Sequence, residues 1–228
     1  MIGFIGAMGV EIEALRAQME NKSEKTVGGI EFVSGTLFGK EVVTAVCGIG
    51  KVFAAMCAEA MIINFNPCCI INTGVAGSLS EKLGILDVAI GESLVQHDMD
   101  TSPLGDPIGL LSGINIVNIP ADGAVCDKIS EAASLLGINA VRGIIASGDQ
   151  FINSSAKKEF IAETFGAVAC EMEGAAIAQV CFVNKTPFCV LRAISDCADG
   201  SSNMVYSEFL PRAAANATAL SLKFVEIF

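Results

Sequence analysis

Three short apolar runs, each ending in small and polar residues, constrain this chain more than any other feature. GFIGAM (3–8) runs into the helix-like EIEALRAQM, CCIINTG (68–74) into what reads as a glycine loop, and FCVLRAISD (188–196) into a polar loop. Between them the pattern predicts helices over 52–65, 124–136, 156–165, 174–183 and 207–224, with Asp122 and Ser154 capping the second and third. EFVSGTL and KEVVTAV flank Gly39 and predict an antiparallel hairpin. Strands alternating with helices make one α/β domain over 1–228, a central twisted sheet, mixed but mostly parallel, with helices on both faces. No linker, low-complexity tract or repeat interrupts it. Ligands of such folds sit beyond the carboxyl ends of the strands. Residues 8–11, 73–77, 147–152, 171–173 and 195–199 are therefore the candidates for a site.

Composition excludes several classes. Hydrophobic residues make up 52% of the 228 and charged ones 17%, as in a compact chain. A net charge of −11, with no basic run, argues against nucleic acid as a partner. The longest uncharged window, 60–80, contains Asn64, Asn66, Pro67, Asn72, Gly74 and Gly77, so it reads as helix end, strand and loop, and no membrane partner is expected. The start, MIGFIGAMGVEIEAL, lacks a basic region and carries Glu11 and Glu13, unlike a signal peptide. Nine scattered cysteines without a CxxC read as reduced, mostly buried residues of a cytoplasmic protein.

Several stretches carry chemistry. Glu171 and Glu173, in CEMEGAAIAQV (170–180), are carboxylates in a small, apolar context, so they either face solvent at an element boundary or are held by partners. CGIGKVFAA (47–55) lacks the third glycine of a dinucleotide fingerprint and the Ser or Thr of a P-loop. It reads as a tight strand-to-helix turn or a close backbone approach to a ligand. NTGVAGSL (72–79) is a glycine loop able to bring backbone N–H groups to a ligand, or a plain turn. In VQHDMD (95–100), strand alternation would put His97 and Met99 on one side and Asp98 and Asp100 on the other. One histidine with no nearby thiol makes a poor metal set, and no metal or cofactor is expected. In SGDQFIN (147–153), Phe151 is either core or a platform for a flat heterocycle whose edge the Ile152 backbone reads. RAISDCADG (192–200) places Arg192, Ser195, Asp196 and Asp199 at a strand end, where a carboxylate suits proton donation or, alternatively, caps the next element.

Taken together, IGAM (5–8) with Glu11, GIGK (48–51), NTGVAG (72–77), SGDQFIN (147–153), EMEG (171–174) and RAISD (192–196) resemble the 5′-methylthioadenosine/S-adenosylhomocysteine nucleosidases, within the purine nucleoside phosphorylase-like superfamily. The six motifs are co-linear with the family's and span nearly the whole chain. The resemblance implies a nucleoside phosphorylase-like fold and hydrolysis, by water and without cofactor, of the N-glycosidic bond between adenine and a 5′-thio-substituted ribose. It implies that Asp196 is the acid at adenine N7 and that Glu11 activates the attacking water with help from Arg192. By the same resemblance Glu173 accepts from the ribose hydroxyls, Met172 packs on the sugar, Phe151 stacks on adenine and Ile152 reads its edge. Met8, Ile49 and Tyr206 would contact the 5′-alkylthio group, Val75, Ala76 and Ser195 match further substrate-binding positions, and Glu171 looks structural, on the opposite side from Glu173. A homodimer is implied in which Leu104, in HDMDTSPLG, closes the other copy's pocket. Two departures stand out: Val75 replaces the serine of a TGSAG pattern, and Tyr206 and Leu104, the latter where an aromatic is common, alter the thio-substituent pocket. Phosphorolysis, hydrolysis of another purine nucleoside such as futalosine, and non-catalytic nucleoside binding are the competing readings.

Overall fold

The run IGFIG is buried at all five positions and forms β1 (Ile2–Gly6), which pairs in parallel with two other strands of the sheet. The computed structural model describes residues 1–198 and 202–228, the first four of the latter by backbone alone, so Asp199 lies outside the described residues. After β1 come α1 (Gly9–Ala17), the meander β2 (Glu20–Val27), β3 (Ile30–Leu37) and β4 (Lys40–Val46), then α2 (Lys51–Phe65) and β5 (Cys69–Ser78). β6 (Val88–Gln96) precedes a one-turn 3-10 helix (Ser102–Leu104), and β7 (Ile119–Pro120) precedes α3 (Gly123–Leu136). The chain ends with β8 (Ala140–Ser147), α4 (Ser155–Phe165), β9 (Ala167–Glu171), α5 (Gly174–Asn184), β10 (Phe188–Asp196) and α6 (Ser202–Ile227).

The expected helices and the hairpin around Gly39 are present, and β3 and β4 pair antiparallel up to Leu37 opposite Lys40. Asp122 caps α3 by accepting from Val125 N at 2.9 Å. Ser154 makes no such bond, although it sits at the N-cap of α4. The sheet is mixed but not mostly parallel. β1/β4, β1/β5, β5/β10, β6/β8 and β8/β9 run parallel, whereas β2/β3, β3/β4, β5/β9, β6/β7 and β6/β10 run antiparallel.

The reason lies in β5, buried at all ten positions and longer than its apolar run suggests. One edge pairs with β1 over Cys69–Asn72 and then with β9 at Gly77 and Ser78, while the other edge pairs with β10 over Ile70–Gly77. The pairings β5–β9–β8–β6–β10–β5 therefore close a ring, and β1, β4, β3 and β2 extend from it as an open sheet. The glycine loop expected after residue 74 is strand. Side chains at two of its positions would collide with neighbours: a Cβ on Gly74 would lie 2.5 Å from Glu11 Oε1 and against Arg192 Nη1, and one on Gly77 would lie 2.9 Å from the Ala198 Cβ. These glycines permit close packing of charged groups rather than a turn.

One core lies between the sheet and α2 and α5, and a second between the sheet and α1, α3 and α6. Phe4, Phe32, Ile70, Ile71 and Phe224 are fully buried within them. Burying such side chains stabilises the fold by roughly 1.5–3 kcal/mol each before conformational entropy is counted. α5 is apolar nearly all round, as a helix covered on several sides must be. Among the described residues, no helix is long and apolar enough to cross a membrane.

Candidate active site

The carboxyl ends of β1, β5, β9 and β10 converge on one cleft. Of the residues expected at a site, Glu11, Arg192, Asp196, Glu173, Met172, Phe151, Met8, Ile49, Val75, Ala76, Ser195 and Tyr206 all line it. Ile152 lines a smaller adjoining cavity, together with Phe151 and Asp196. Leu104 lines neither, and at 83% exposure it stands free on the 3-10 helix.

Glu11 sits in the first turn of α1 and is buried. Its Oε2 accepts from the backbone N–H of Ala7 (2.8 Å) and Met8 (2.9 Å), and its Oε1 accepts from Val75 N (3.1 Å). A carboxylate at a helix N-terminus with three backbone donors is held in one orientation without needing a cation. None of its ion-pair partners lies within 4.0 Å among the described residues. Arg192, the largest fully buried side chain, is engaged elsewhere. Its Nη2 donates to Glu171 Oε2, to Asn72 Oδ1 (2.5 Å) and, more weakly, to Glu173 Oε2 (3.5 Å), and its Nη1 to the Val75 carbonyl (3.4 Å). Burial works against its charge, but Glu171, Glu173 and Glu11 outweigh this and raise its pKa further.

The two glutamates divide their work. Glu171 does not point away from the site: it lines the cleft floor and meets the same guanidinium as Glu173. Its oxygens also accept from the Ser147 hydroxyl and from the N–H groups of Glu173 (3.0 Å) and Gly174 (2.8 Å), the unpaired donors at the start of α5. Every lone-pair direction is used, so Glu171 is a structural anion. Glu173 makes fewer bonds: Gly50 N donates to its Oε1 at 2.8 Å, and Oε2 has only the long contact to Arg192. Burial first, and then the neighbouring Glu171 and Glu11, push its pKa up to about 7 despite Arg192 and the Gly50 N–H. A buried carboxylate with spare acceptor capacity facing a cleft is suited to hydroxyl donors.

Asp196 closes β10. Its Oδ1 accepts from the Ser195 hydroxyl (2.9 Å) and its Oδ2 from Ala198 N (2.9 Å). Ser195 itself reaches the Ala76 carbonyl at 3.4 Å. The outer wall is aromatic and apolar. Phe151 and Tyr206 meet edge to face with centroids 5.5 Å apart, and the Tyr206 hydroxyl lies 3.7 Å from Met8 Sδ. Ile49 and Phe151 are 56% and 47% exposed, a flat apolar opening above a charged floor.

Asn72 lies outside the stretches expected at a site, Ser147 opens the expected stretch 147–152 without an assigned role, and Gly50 lies outside them, although each sits inside a motif that was singled out. Nothing local marks them, since their partners lie 120, 24 and 123 residues away. VQHDMD is not a continuous strand: β6 stops at Gln96, residues 97–98 turn, and His97 is buried with its Nε2 unpaired. Among the described residues, no group of three His, Cys, Asp or Glu could hold a metal ion.

This geometry has close counterparts. Residues 1–226 match the phosphorylase superfamily. A 5′-methylthioadenosine/S-adenosylhomocysteine nucleosidase of Shewanella sediminis is 39% identical over 226 residues, covering 99% of this chain and 98% of the relative. The crystal structure of the Neisseria meningitidis nucleosidase of that name, in complex with methylthio-immucillin-A, superposes with a TM-score of 0.96 at 38% identity, covering 100% of this chain and 99% of the other. The native structure of futalosine hydrolase of Helicobacter pylori superposes with a TM-score of 0.95 at 36% identity, covering 100% and 97%. The chain belongs to the phosphorylase superfamily and, within it, to the 5′-methylthioadenosine/S-adenosylhomocysteine nucleosidases.

Proposed function

We infer that this chain hydrolyses the N-glycosidic bond of 5′-methylthioadenosine and S-adenosylhomocysteine, releasing adenine and the 5′-thioribose. One observation carries the reading: three separately oriented carboxylates, Glu11, Glu173 and Asp196, line one cleft beneath an aromatic and thioether wall. Adenine stacks on Phe151, with the backbone at Ile152 at its edge. As the C1′–N9 bond breaks, its electron pair passes to the base, and Asp196 shares a proton with N7 so that adenine leaves neutral. The two hydrogen bonds that Asp196 already accepts hold its carboxyl group in place for that transfer. Water adds its oxygen to C1′ and gives its proton to Glu11. Glu173 accepts from the ribose hydroxyls, and its charge favours the cationic sugar of the transition state. Met172 packs on the sugar, and Met8, Ile49 and Tyr206 receive the 5′-thio substituent. Arg192, already shared between Glu171 and Glu173, sets the floor's charge balance and supports Glu11 only at longer range.

The same charge balance disfavours phosphorolysis. A phosphate dianion beside Glu11, Glu173 and Asp196 would meet three carboxylates and one guanidinium already engaged by two of its neighbours. The similarity to a futalosine hydrolase keeps a different 5′ group as the second reading of the substrate. A homodimer fits as well. Leu104 (83% exposed) and Val52 (70%) present apolar surface that a second copy would cover, with Leu104 closing that copy's cleft. Methionine salvage and removal of S-adenosylhomocysteine are the roles this activity would serve. The test is adenine release from 5′-methylthioadenosine with and without phosphate, alongside futalosine. Phosphate-independent release from the thio-nucleoside is expected, and strict phosphate dependence or release from futalosine alone would overturn the reading.

A further inference from the structure

The cleft's two most exposed apolar walls, Ile49 and Phe151, sit on separate loops. A closed polar ring joins the segments that carry them, and Asp149 within it is exposed. Lys51 Nζ donates to Asp98 Oδ1 (2.6 Å), Asp98 Oδ2 accepts from Asp149 N (2.9 Å), and Asp149 Oδ1 accepts from Lys51 N (2.8 Å). Three loops from distant parts of the chain are thus joined through one lysine and two carboxylates. Lys51 also donates to Gln96 Oε1 (3.1 Å), whose amide donates to Gln179 Oε1 (2.7 Å) on α5. The ring is partly shielded, with the Lys51 and Asp98 side chains 19% and 15% exposed. Burial opposes the charge of Asp98, but Lys51 and the Asp149 N–H hold its carboxyl group below the usual range. Space for the ring is reserved: a Cβ at Gly148 would meet the His97 ring and come within 3.1 Å of Asp98 Cγ, and one at Gly50 would lie 3.0 Å from Asp149 Oδ1.

We propose that Lys51, Asp98 and Asp149 form a positioning clamp for substrate recognition. Ile49 is two residues before Lys51, Phe151 is two after Asp149, and the Gly50 N–H immediately before Lys51 is the one short hydrogen bond to Glu173. The clamp therefore sets at once the gap between Ile49 and Phe151 and the direction in which Glu173 faces the sugar. It touches no reacting atom, and it rests on the nucleosidase reading for its kinetic consequence but not for its geometry.

Asp98→Asn tests it, because an amide in place of the carboxylate must turn its NH₂ toward either Lys51 Nζ or Asp149 N, so one bond of the ring becomes a clash of donors. The expected result is a rise of about tenfold in KM for 5′-methylthioadenosine with kcat within about threefold. Lys51→Met should show the same split, and Lys51→Arg, which can still pair with Asp98, should largely restore the wild-type KM. A second readout needs no substrate. The chain has one tyrosine and no tryptophan, so emission excited at the tyrosine band reports Tyr206, which packs edge-on against Phe151. Its anisotropy in the free Asp98→Asn enzyme should fall. Lower melting temperature with unchanged KM and unchanged Tyr206 anisotropy would overturn the proposal. If the wild type cleaves no thio-nucleoside, the functional reading fails and Tyr206 anisotropy alone decides the clamp. Should Asp98→Asn fail to fold, the Lys51 pair of variants decides it in the same way.

Discussion

The floor and the wall of the cleft are built on opposite principles. On the floor, Glu11, Glu171, Glu173, Arg192 and Asp196 are all buried, and backbone N–H groups or an opposite charge fix each of them. On the wall, Ile49 and Phe151 are about half exposed and sit on loops. The difference teaches where tolerance lies. Groups that exchange protons or balance charge must be oriented to fractions of an ångström, so β strands and a helix N-terminus carry them. Groups that only form an apolar opening can sit on loops, where substitutions are tolerated without dismantling the floor.

The comparison breaks most visibly at Glu171. Removing it in Glu171→Ala leaves Arg192 short of a counter-charge and two N–H groups of α5 unpaired, so a loss of about 3–5 kcal/mol in unfolding free energy is expected by denaturant titration. A loss confined to turnover, with stability unchanged, would move Glu171 from scaffold to chemistry. Glu173→Gln should act in the other direction, leaving stability near wild type at neutral pH while kcat/KM falls roughly a hundredfold, through KM and kcat together. Its pH dependence has a definite sign. The Glu173 carboxyl is raised from 4.5 to about 7, so its contribution to stability is complete below about 4.5 and is lost as pH rises through about 7. The ionised form is the better acceptor for hydroxyls, so kcat/KM should rise over the same upper range. Both dependences should vanish in the glutamine variant. The smallest effect belongs to the wall: Phe151→Ala should raise KM about tenfold by removing a stacking partner, with kcat changed far less.

Much of this floor was legible in the sequence because its residues follow apolar runs, and strand ends in an α/β fold are where ligands sit. Asp196, Glu11 and Glu173 each stand at such an end. Asp122 was legible as a cap, and Gly39 as a hairpin, because both signals act within four residues. What could not be read depends on partners far along the chain. Gly74 and Gly77 look like turn residues by composition, yet they keep β5 open to Glu11, Arg192 and Ala198, which arrive from α1, β10 and the segment after it. The same distance hid the pairing of Glu171 with Arg192, and simple alternation placed Glu171 on the wrong side. VQHDMD alternates like a strand, but Asp98 is drawn out of the ladder by Lys51 and the Asp149 N–H. The ring closure of the sheet was unreadable for a related reason: one strand, β5, changes partners partway along its edge.

Asp196→Asn gives the most direct test of the division between floor and wall, measured as adenine release from 5′-methylthioadenosine together with equilibrium binding of the uncleaved nucleoside. Asparagine fills the same space but cannot share a proton with N7, so cleavage should fall by about 10²–10⁴ while binding and melting temperature stay close to wild type. Turnover at the wild-type rate in that variant would contradict the account, because the proton would then have to reach adenine from elsewhere.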